Sequence, residues 1–513
     1  MSERFDTIVI GGGVNGLTAA IRMARAGRRT LLCEAREHLG GLAASEEFHP
    51  GYRTCGVDHD DSRIRPWWVQ KLQLERHGLQ LRPEPLPTFS PEPAGEGPGL
   101  MLWRDADRAA PELGDDASAY AEFRGFLDRV TPFLRRTIDQ IPADLAGRKL
   151  SDLWQLARSG IALRLLGRAD MMELFRIGPM CVADWLGEWF GSDRLRATLA
   201  APAVFGGFTA PWSPGTNANL LLHETFAGAG ARGGGPSLVA ALEVAARDAG
   251  VEVRTGTPVA GIEVGEAETR GVRLEGGETI EAPLVTAACS AKRALLELVP
   301  VGRLSLRLEH GIQNFRTRGT TARIHLALTA YPSWASRPDE TPIHVCIGDG
   351  IDALERAFDP IKYRAFGSDL ALDVRIPTVE SPDLAPAGHH VLSAAAHWVP
   401  ERLEGGWTDA SRQDLLQTVL RRLEVYAPGI RESVVGSEVL APPDLESRYG
   451  LVGGQIHHGE HGLDQLVVRP TPECARYATP IPGLFLCGGG SYPGGGITGV
   501  PGFFAAERML EGA

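Results

Sequence analysis

The sequence predicts an α/β protein with a dinucleotide-binding domain and a second domain for substrate. Two observations support this prediction: a β-α-β unit with closely spaced glycines opens the chain, and short apolar strands with further glycine turns return at 233–290 and 447–504. At 513 residues the chain is also too long for one ordinary domain of about 100–200 residues. We therefore expect two domains, one of them built from separated segments.

The dinucleotide-binding unit comes first. Residues 7–10 form an apolar run typical of a buried strand, and Gly-Gly-Gly-Val-Asn-Gly at 11–16 fits the pattern G-x-G-x-x-G. Residues 17–26 have the composition of a helix, 30–33 that of a second strand, and Glu34 follows that strand directly. The strand, the helix and the acid stand where a dinucleotide site requires them.

Each part of this unit has a physical reason. Gly11 permits the tight turn, Gly13 has no Cβ and lets a pyrophosphate approach the backbone, and Gly16 lets helix and strand pack closely. The N–H groups at the start of the helix favour phosphate. Glu34 can accept hydrogen bonds from ribose hydroxyls, and its charge would repel a 2′-phosphate.

Composition and charge exclude several classes of function. The 52 basic and 64 acidic side chains give a formal charge of −12, so we expect no nucleic-acid partner. The seven cysteines include no C-x-x-C pair and no zinc-ligand spacing, which argues against a flavin–disulfide reductase and predicts no metal site. Scattered thiols, a polar start at 1–6 without a signal peptide, and no apolar run of about 18 residues predict a cytoplasmic protein.

The middle of the chain predicts helices and a second sheet. Residues 118–200 carry apolar side chains at helical spacing, 320–330 and 389–399 have the pattern of strands, and the proline-rich 83–99 predicts an irregular connection or an exposed hairpin. Eight large apolar residues of the helical part suggest the core of a helical cap, an entrance for an apolar substrate, or a membrane-contacting face. They are Trp154, Leu163, Leu165, Leu166, Met171, Met172, Leu174 and Phe175.

The stretch 233–290 is predicted to return the chain to the first sheet. Gly233-Gly234-Gly235-Pro236 leads into a helix over 238–249. Strands are predicted at 251–253, 259–264, 271–274 and 284–288.

A second pair of glycines follows the ribose-binding acid. Glu34-Ala35-Arg36 precedes Leu39-Gly40-Gly41-Leu42. This extension resembles the fingerprint of FAD enzymes of the amine oxidase and phytoene desaturase superfamily, in which Arg36 and the Gly40-Gly41 turn would line the path of the pyrophosphate and the ribityl chain. No second G-x-G-x-x-G follows a strand, so we expect no further site for NAD(P)H.

The C-terminal stretch carries the most specific pattern. It contains a glycine-rich run ending in His-His-Gly-Glu at 450–460, Leu-Asp-Gln-Leu at 463–466, Tyr-Ala-Thr-Pro-Ile at 477–481, a strand followed by three glycines at 483–490, and Pro-Gly-Gly-Gly-Ile-Thr-Gly-Val-Pro-Gly at 493–502. Over nearly the whole chain the sequence resembles the phytoene desaturase-like flavoproteins. Within them it is most similar to the branch of pyridine nucleotide-disulphide oxidoreductase domain-containing protein 2 and the bacterial carotenoid ketolases.

This resemblance implies FAD as the cofactor and a Rossmann-type FAD-binding domain formed by 1–75, 226–300 and 446–513. The substrate domain, 76–225 and 301–445, would combine a mixed sheet with the helical cap. The implied cofactor contacts are Gly11, Gly13, Val14, Asn15, Gly16, Glu34, Ala35, Arg36, Gly41, Leu42, Gly56, Val259, Gly488, Gly489, Gly496, Ile497 and Thr498. A helix predicted from Ile497 to Met509 would direct its N-terminal dipole at the flavin and favour the reduced form.

The resemblance also implies an oxidoreductase in which hydride passes from a substrate carbon to flavin N5. We expect an apolar or semi-polar small molecule to be desaturated or oxidised, with oxygen or a quinone as the final acceptor. His59 and His458 are the candidate catalytic residues, because imidazole can take a proton near neutrality; each could instead be a loop histidine satisfied by a carboxylate. The alternatives are a ketolase-like oxygenase and a lipid carrier or partner-binding protein without redox turnover. Peripheral membrane contact is a further expectation.

Overall fold

A computed structural model describes residues 3–144, 149–266 and 268–512. Within these ranges the chain forms seventeen strands and seventeen α-helices. The strands are β1 (Thr7–Ile10), β2 (Thr30–Cys33), β3 (Glu47–His49), β4 (Tyr52–Arg53), β5 (Thr88–Ser90), β6 (Leu100–Leu102), β7 (Glu252–Arg254), β8 (Val259–Val264), β9 (Thr269–Leu274), β10 (Thr279–Glu281), β11 (Leu284–Ala287), β12 (Thr321–Leu328), β13 (His344–Ile347), β14 (Leu372–Arg375), β15 (His390–His397), β16 (Val434–Leu440) and β17 (Leu484–Leu486). The helices are α1 (Val14–Arg25), α2 (Pro66–Leu72), α3 (Ala106–Leu113), α4 (Ala117–Ile138), α5 (Leu150–Leu165), α6 (Arg168–Ile177), α7 (Val182–Trp189), α8 (Asp193–Val204), α9 (Thr216–Phe226), α10 (Gly234–Asp248), α11 (Leu306–Asn314), α12 (Ile351–Phe358), α13 (Asp409–Tyr426), α14 (Ile430–Ser433), α15 (Pro442–Tyr449), α16 (Leu463–Leu466) and α17 (Val500–Glu511).

The first sheet is parallel and has the strand order β17-β11-β1-β2-β7. Val9 and Leu32 point from one face into a cluster formed with α1 and α10, and Ile8 and Leu31 point from the other face toward the small β8–β10 sheet. Strands covered on both faces need continuous apolar runs, which is why this sheet was recognisable in the sequence. The α/β class is confirmed; the predicted domain boundaries stay predictions.

The second sheet has seven strands in the order β16-β12-β15-β14-β13-β5-β6 and is antiparallel except where β13 meets β5. One face is apolar: Ile324 and Leu326 pack in a cluster with Val419 of α13. The alternate residues Arg323 and His325 are also buried, although they are polar. Residues 83–99 are predicted to form an irregular connection or an exposed hairpin. The hairpin is present, since β5 and β6 pair in antiparallel fashion, but only its tip at 94–98 is exposed, because β5 joins this sheet and is largely buried.

Helices α3, α4, α7, α8 and α9 surround a large apolar cluster that includes Phe123 and Trp185. Helices α5 and α6 lie at its edge. None of the eight apolar residues that the sequence analysis singled out there is buried; Trp154 is 67% and Leu165 81% exposed. Their interpretation as the core of a helical cap is therefore wrong for the four exposed residues Trp154, Leu165, Met172 and Phe175, which no further layer of the described chain covers. Leu174 is half-buried and packs against the cluster.

The C-terminal helix α17 begins at Val500, three residues later than predicted. Gly496 and Gly499 have φ values of +105° and +67°, which a continuing right-handed helix does not allow, and Pro501 suits the first turn. Helix α17 packs along α1, so the two ends of the chain meet. All seven cysteines are free thiols. No helix in the described ranges has the length and apolar character needed to cross a bilayer.

Candidate active site

The turn between β1 and α1 is closed by glycine contacts. A Cβ on Gly16 would lie 1.9 Å from the carbonyl oxygen of Gly11, so only glycine lets the helix approach the turn this closely. The carboxylate of Glu34 accepts hydrogen bonds from the backbone N–H groups of Gly12 at 2.6 Å and Arg36 at 2.9 Å. The acid that follows β2 is thereby held beside the glycine turn.

The second glycine pair rests against the first turn. A Cβ on Gly41 would lie 3.1 Å from the Cα of Gly13, and one on Gly40 would lie 2.7 Å from the side chain of Val239 on α10. Both residues have positive φ, +102° for Gly40 and +56° for Gly41. The pair lets the chain after β2 pass directly over the N-terminus of α1.

These turns and the C-terminal segment enclose a space of about 1600 Å³ that is open to solvent, which we call the glycine-lined cavity. Most of the predicted cofactor residues line it. They are Gly11, Gly13, Val14, Asn15, Gly16, Glu34, Ala35, Arg36, Gly41, Leu42, Val259, Gly489, Gly496 and Ile497. Three segments that are far apart in the chain thus meet around one space.

Three predicted cofactor residues lie outside this lining. A Cβ on Gly56 would lie 2.7 Å from the backbone oxygen of Leu42, and one on Gly488 would lie 2.5 Å from that of Cys289, so both glycines serve close packing behind the cavity wall. The hydroxyl of Thr498 is 3.3 Å from the backbone N–H of Val500, which donates to it at the start of α17.

Polar groups of this cavity that lack a hydrogen-bond partner among the described residues fit a dinucleotide. Helix α1 begins at Val14, and its N-cap residue Gly13 has no side chain to cap it, which leaves the first N–H groups of the helix to a phosphate. The side-chain oxygen of Asn15 is buried and has no hydrogen-bond partner among the described residues, so a donor from a ligand would satisfy it. Arg36 is held in the wall by an ion pair with Glu46 and lies 4.7 Å from the ring centre of Tyr449.

A second space of about 1350 Å³ adjoins the first. Asp58 and Ile456 line both spaces, and Arg63 of the second donates a hydrogen bond at 3.3 Å to the carbonyl oxygen of Gly495 in the wall of the first. We call this second space the charged cavity. Its charged lining residues are Asp58, Asp60, Asp61, Glu224, Asp373, Arg63, Arg82, Arg104, Arg124, Arg323 and Arg375.

The polar face of the seven-stranded sheet forms one wall of the charged cavity. Arg323 of β12, Ala395 of β15, Asp373 of β14 and Cys346 of β13 are successive partners in the sheet, so their side chains share a face. Arg375 follows two residues after Asp373 and lies on the same face. The buried charges of this sheet are therefore the lining of a cavity.

Asp58 is the carboxylate at the junction of the two cavities. It is 4% exposed. Burial raises the pKa of Asp58 to about 6; the positive charge of Arg323 opposes this shift and the negative charge of Asp60 adds to it. A carboxyl group that changes protonation close to neutral pH can take a proton from a bound molecule.

The two candidate histidines lie in different cavities. His458 lines the glycine-lined cavity, and burial, followed by the charge of Arg469, lowers its pKa to about 4. His59 lines the charged cavity, where burial, followed by the charge of Arg323, lowers its pKa to about 3. Its Nε2 lies 3.2 Å from Oδ1 of Asp373, the kind of carboxylate contact that the structural alternative for His59 requires. Both imidazoles are neutral at neutral pH, and their catalytic roles stay predictions.

Sequence reasoning missed most of the charged cavity. Asp58, Arg63, Arg323, Asp373 and Arg375 were not among the candidates, although a signal exists. In β12 and β14 a charged residue alternates with apolar residues that are themselves typical of a buried core. Such alternation looks like a strand with one face in water, so the strand pattern alone cannot distinguish a wet surface from an internal cavity.

Comparison with known proteins matches nearly the whole chain to a known family. The family of flavin-containing amine oxidoreductases matches residues 15–500. Pyridine nucleotide-disulfide oxidoreductase domain-containing protein 2 of Rattus norvegicus is 32% identical, over 100% of this chain and 94% of the relative. The zeta-carotene-forming phytoene desaturase of Myxococcus xanthus is 25% identical, over 98% and 92% of the two chains.

A solved structure shows the same fold. Cyclohexylamine oxidase from Brevibacterium oxydans IH-35A aligns over 99% of each chain with a TM-score of 0.59 and 15% identity. At this identity the likeness concerns the fold.

Proposed function

The chain belongs to the flavin-containing amine oxidoreductase family and is an FAD-dependent oxidoreductase, and from this premise we propose that it oxidises a small organic molecule in the charged cavity. The reaction removes one hydride and one proton from the substrate, either to form a double bond or to oxidise a carbon that carries a heteroatom. The observation that supports this proposal is the junction at Asp58 and Ile456, which joins a cofactor-sized cavity to a separate space for substrate.

In this proposal the cofactor accepts the hydride, and side chains of the protein bind the cofactor and accept the proton. When bound, FAD supplies a hydride acceptor at N5. Glu34, the two glycine turns and the start of α1 would hold the nucleotide end, and Ile456 and His458 line the cavity near the substrate space. The carboxylate of Asp58 accepts the proton that the substrate loses. The two electrons pass on to oxygen or a quinone.

The test is an anaerobic titration followed by absorbance. We expect the purified protein to carry a flavin band near about 450 nm that dithionite bleaches. A true substrate will bleach the same band without dithionite, and oxygen or a quinone will restore it. A colourless protein that does not take up added FAD would contradict the proposal, and labelled oxygen in the product would indicate an oxygenase instead.

A membrane contact through α5 is a second part of the proposal. Leu150, Trp154 and Leu165 are 83%, 67% and 81% exposed. The exposed basic residues of 149–169 are Lys149, Arg158, Arg164 and Arg168. The one acid of this stretch, Asp152, is buried beside Arg476 at 3.4 Å. In a chain of net charge −12, this combination of apolar and basic side chains favours a bilayer surface that contains anionic lipid.

A further inference from the structure

Two guanidinium groups of the charged cavity lack a close carboxylate partner. Arg323 is 3% exposed, its Nη1 lies 3.0 Å from Nε2 of His59, and no carboxylate oxygen of the described residues lies within 4.0 Å of it. Arg375 is 9% exposed, and the carboxylates nearest to it are Asp60 at 3.9 Å and Asp373 at 4.0 Å. The Nε atoms of both arginines are buried without a hydrogen-bond partner among the described residues.

The other four arginines of the cavity are paired more closely. Each has a carboxylate oxygen at 3.4 Å or less. The pairs are Arg63–Asp60 at 3.4 Å, Arg82–Asp61 at 2.7 Å, Arg104–Glu224 at 2.8 Å and Arg124–Glu224 at 2.9 Å. One carboxylate, Glu224, serves two arginines. Asp58 is the carboxylate of the described lining that has no arginine within 4.0 Å, although its charge and that of Arg323 act on each other.

The remaining acid of the sheet is engaged as well. Asp373 lies 3.2 Å from Nε2 of His59 and 3.4 Å from Nε2 of His344. Among the described residues, the atoms of this face that lack a hydrogen-bond partner include the Nε donors of Arg323 and Arg375 and the Oδ1 acceptor of Asp373. A ligand that supplies acceptor oxygens would satisfy both buried donors.

The two arginines stand on either side of one strand of the sheet. Arg323 and the strand that carries Asp373 and Arg375 are separated by β15, which places their backbones about 10 Å apart. The residues of β15 between them on this face, Ser393 and Ala395, have small side chains. The imidazole of His59 lies there, with Nδ1 3.4 Å from the hydroxyl oxygen of Ser393 and Nε2 3.0 Å from Nη1 of Arg323. Both guanidinium groups line the charged cavity beside this ring.

Building on the proposed oxidation, we infer that the substrate is an organic acid and that Arg323 and Arg375 bind its carboxylate, or a chemically equivalent phosphate, in the charged cavity. Guanidinium groups recognise both oxyanions by paired, charge-assisted hydrogen bonds. The apolar members of the same lining, among them Leu199 and Phe205, would contact the remainder of the molecule. The expected substrate is therefore amphipathic, with one anionic end.

The first experiment compares probes of one shape and different charge on the unaltered FAD holoenzyme. Isothermal titration calorimetry with benzoate, benzamide, benzylamine and phenyl phosphate is independent of turnover. We expect benzoate or phenyl phosphate to bind at least about tenfold more tightly than benzamide and benzylamine. The better of the two anions identifies the group. Equal binding of benzoate, phenyl phosphate and benzamide, or tighter binding of benzylamine, would overturn the inference.

Variants then locate the anion. In Arg323→Gln and Arg375→Gln we expect the Kd of the preferred anion to rise about tenfold to a hundredfold, with that of benzamide nearly unchanged. Arg402→Gln is the matched control, because the side chain of Arg402 is 80% exposed outside the cavity. An unchanged anion Kd in both cavity variants would overturn the assignment. Dithionite reduction of the flavin in every protein keeps this outcome distinct from a failure of the proposed redox function.

Discussion

The seven-stranded sheet and helix α5 place charged and apolar side chains in opposite surroundings. On the sheet, Arg323 is 3% exposed, whereas on α5 Leu150 is 83% exposed. The sheet residue is buried because its face closes a cavity, and the helix residue is exposed because no other layer of the described chain covers it. The proposals differ accordingly: we infer a polar ligand for the buried face of the sheet and a lipid surface for the exposed face of α5.

The largest expected effect is on catalysis, at a buried residue of the charged cavity. Replacing the junction carboxylate, Asp58→Asn, should lower kcat/KM by about 10²–10⁴-fold, since the amide cannot accept the proton. The wild-type rate should rise as pH increases through about 6, where Asp58 loses its proton, and the variant should lack this limb. The measurement is the pH profile of substrate-driven flavin reduction.

The exposed residue Asp339 offers the control for this variant, because Asp339→Asn changes the same group at the surface. Both variants should bind FAD and be reduced by dithionite like the wild type. An Asp58→Asn protein that keeps the pH limb and its rate would show that Asp58 is not the proton acceptor.

The next largest effect is on stability, and it compares a buried ion pair with an exposed ion pair of the same N–O distance. Arg82 and Asp61 in the charged cavity and Arg129 and Asp170 at the surface both have N–O distances of 2.7 Å, but the arginines are 8% and 57% exposed. Arg82→Met leaves a buried carboxylate unpaired and should cost about 3–5 kcal/mol of unfolding free energy. Arg129→Met should cost about 0–1 kcal/mol. The midpoints of denaturant unfolding of the two variants measure the difference. Similar midpoints would show that the buried ion pair stabilises the protein no more than the exposed one.

The smallest effects concern the exposed side. The double variant Trp154→Gln/Leu165→Gln should change the unfolding free energy by no more than about 0.5 kcal/mol per site, because neither side chain is buried. Flotation with vesicles that contain phosphatidylglycerol should nevertheless show about tenfold weaker binding. Val301→Gln, at a fully exposed apolar residue elsewhere, should leave vesicle binding unchanged. A strong loss of unfolding free energy in the double variant would show that these side chains of α5 are packed in the core, and would contradict the proposed membrane contact.

The cofactor half of the fold was predictable because its signals are local. The strands at 7–10, 30–33 and 259–264 coincide with β1, β2 and β8. The first two are short, mostly apolar runs followed by a glycine or an acid, and the third shows the alternation of a strand. The burial of β5 was not predicted, because the prolines on either side of it are typical of loops. The start of α17 was placed too early because the positive φ of Gly499 depends on the contact with Trp68, against which a Cβ would lie 2.2 Å away.

The substrate half was less predictable for a physical reason. Arg323 and Asp373 are fifty residues apart in the chain and become neighbours only through β15. The residue pattern of neither strand indicates that its polar face lines a cavity. The same limit explains α5, whose apolar residues predict contact with something apolar but not whether that partner is another helix or a phase outside the protein.

The assembly of the parallel sheet from three distant segments has a consequence for biosynthesis. Its edge strand β17 and the helix α17 that packs on α1 are synthesised more than 450 residues after β1 and α1. At about 5–20 residues per second, the glycine turn at the N-terminus waits on the order of tens of seconds for its C-terminal neighbours. The glycine-lined cavity is therefore complete only after the residues of 489–497 that form part of its wall have been synthesised.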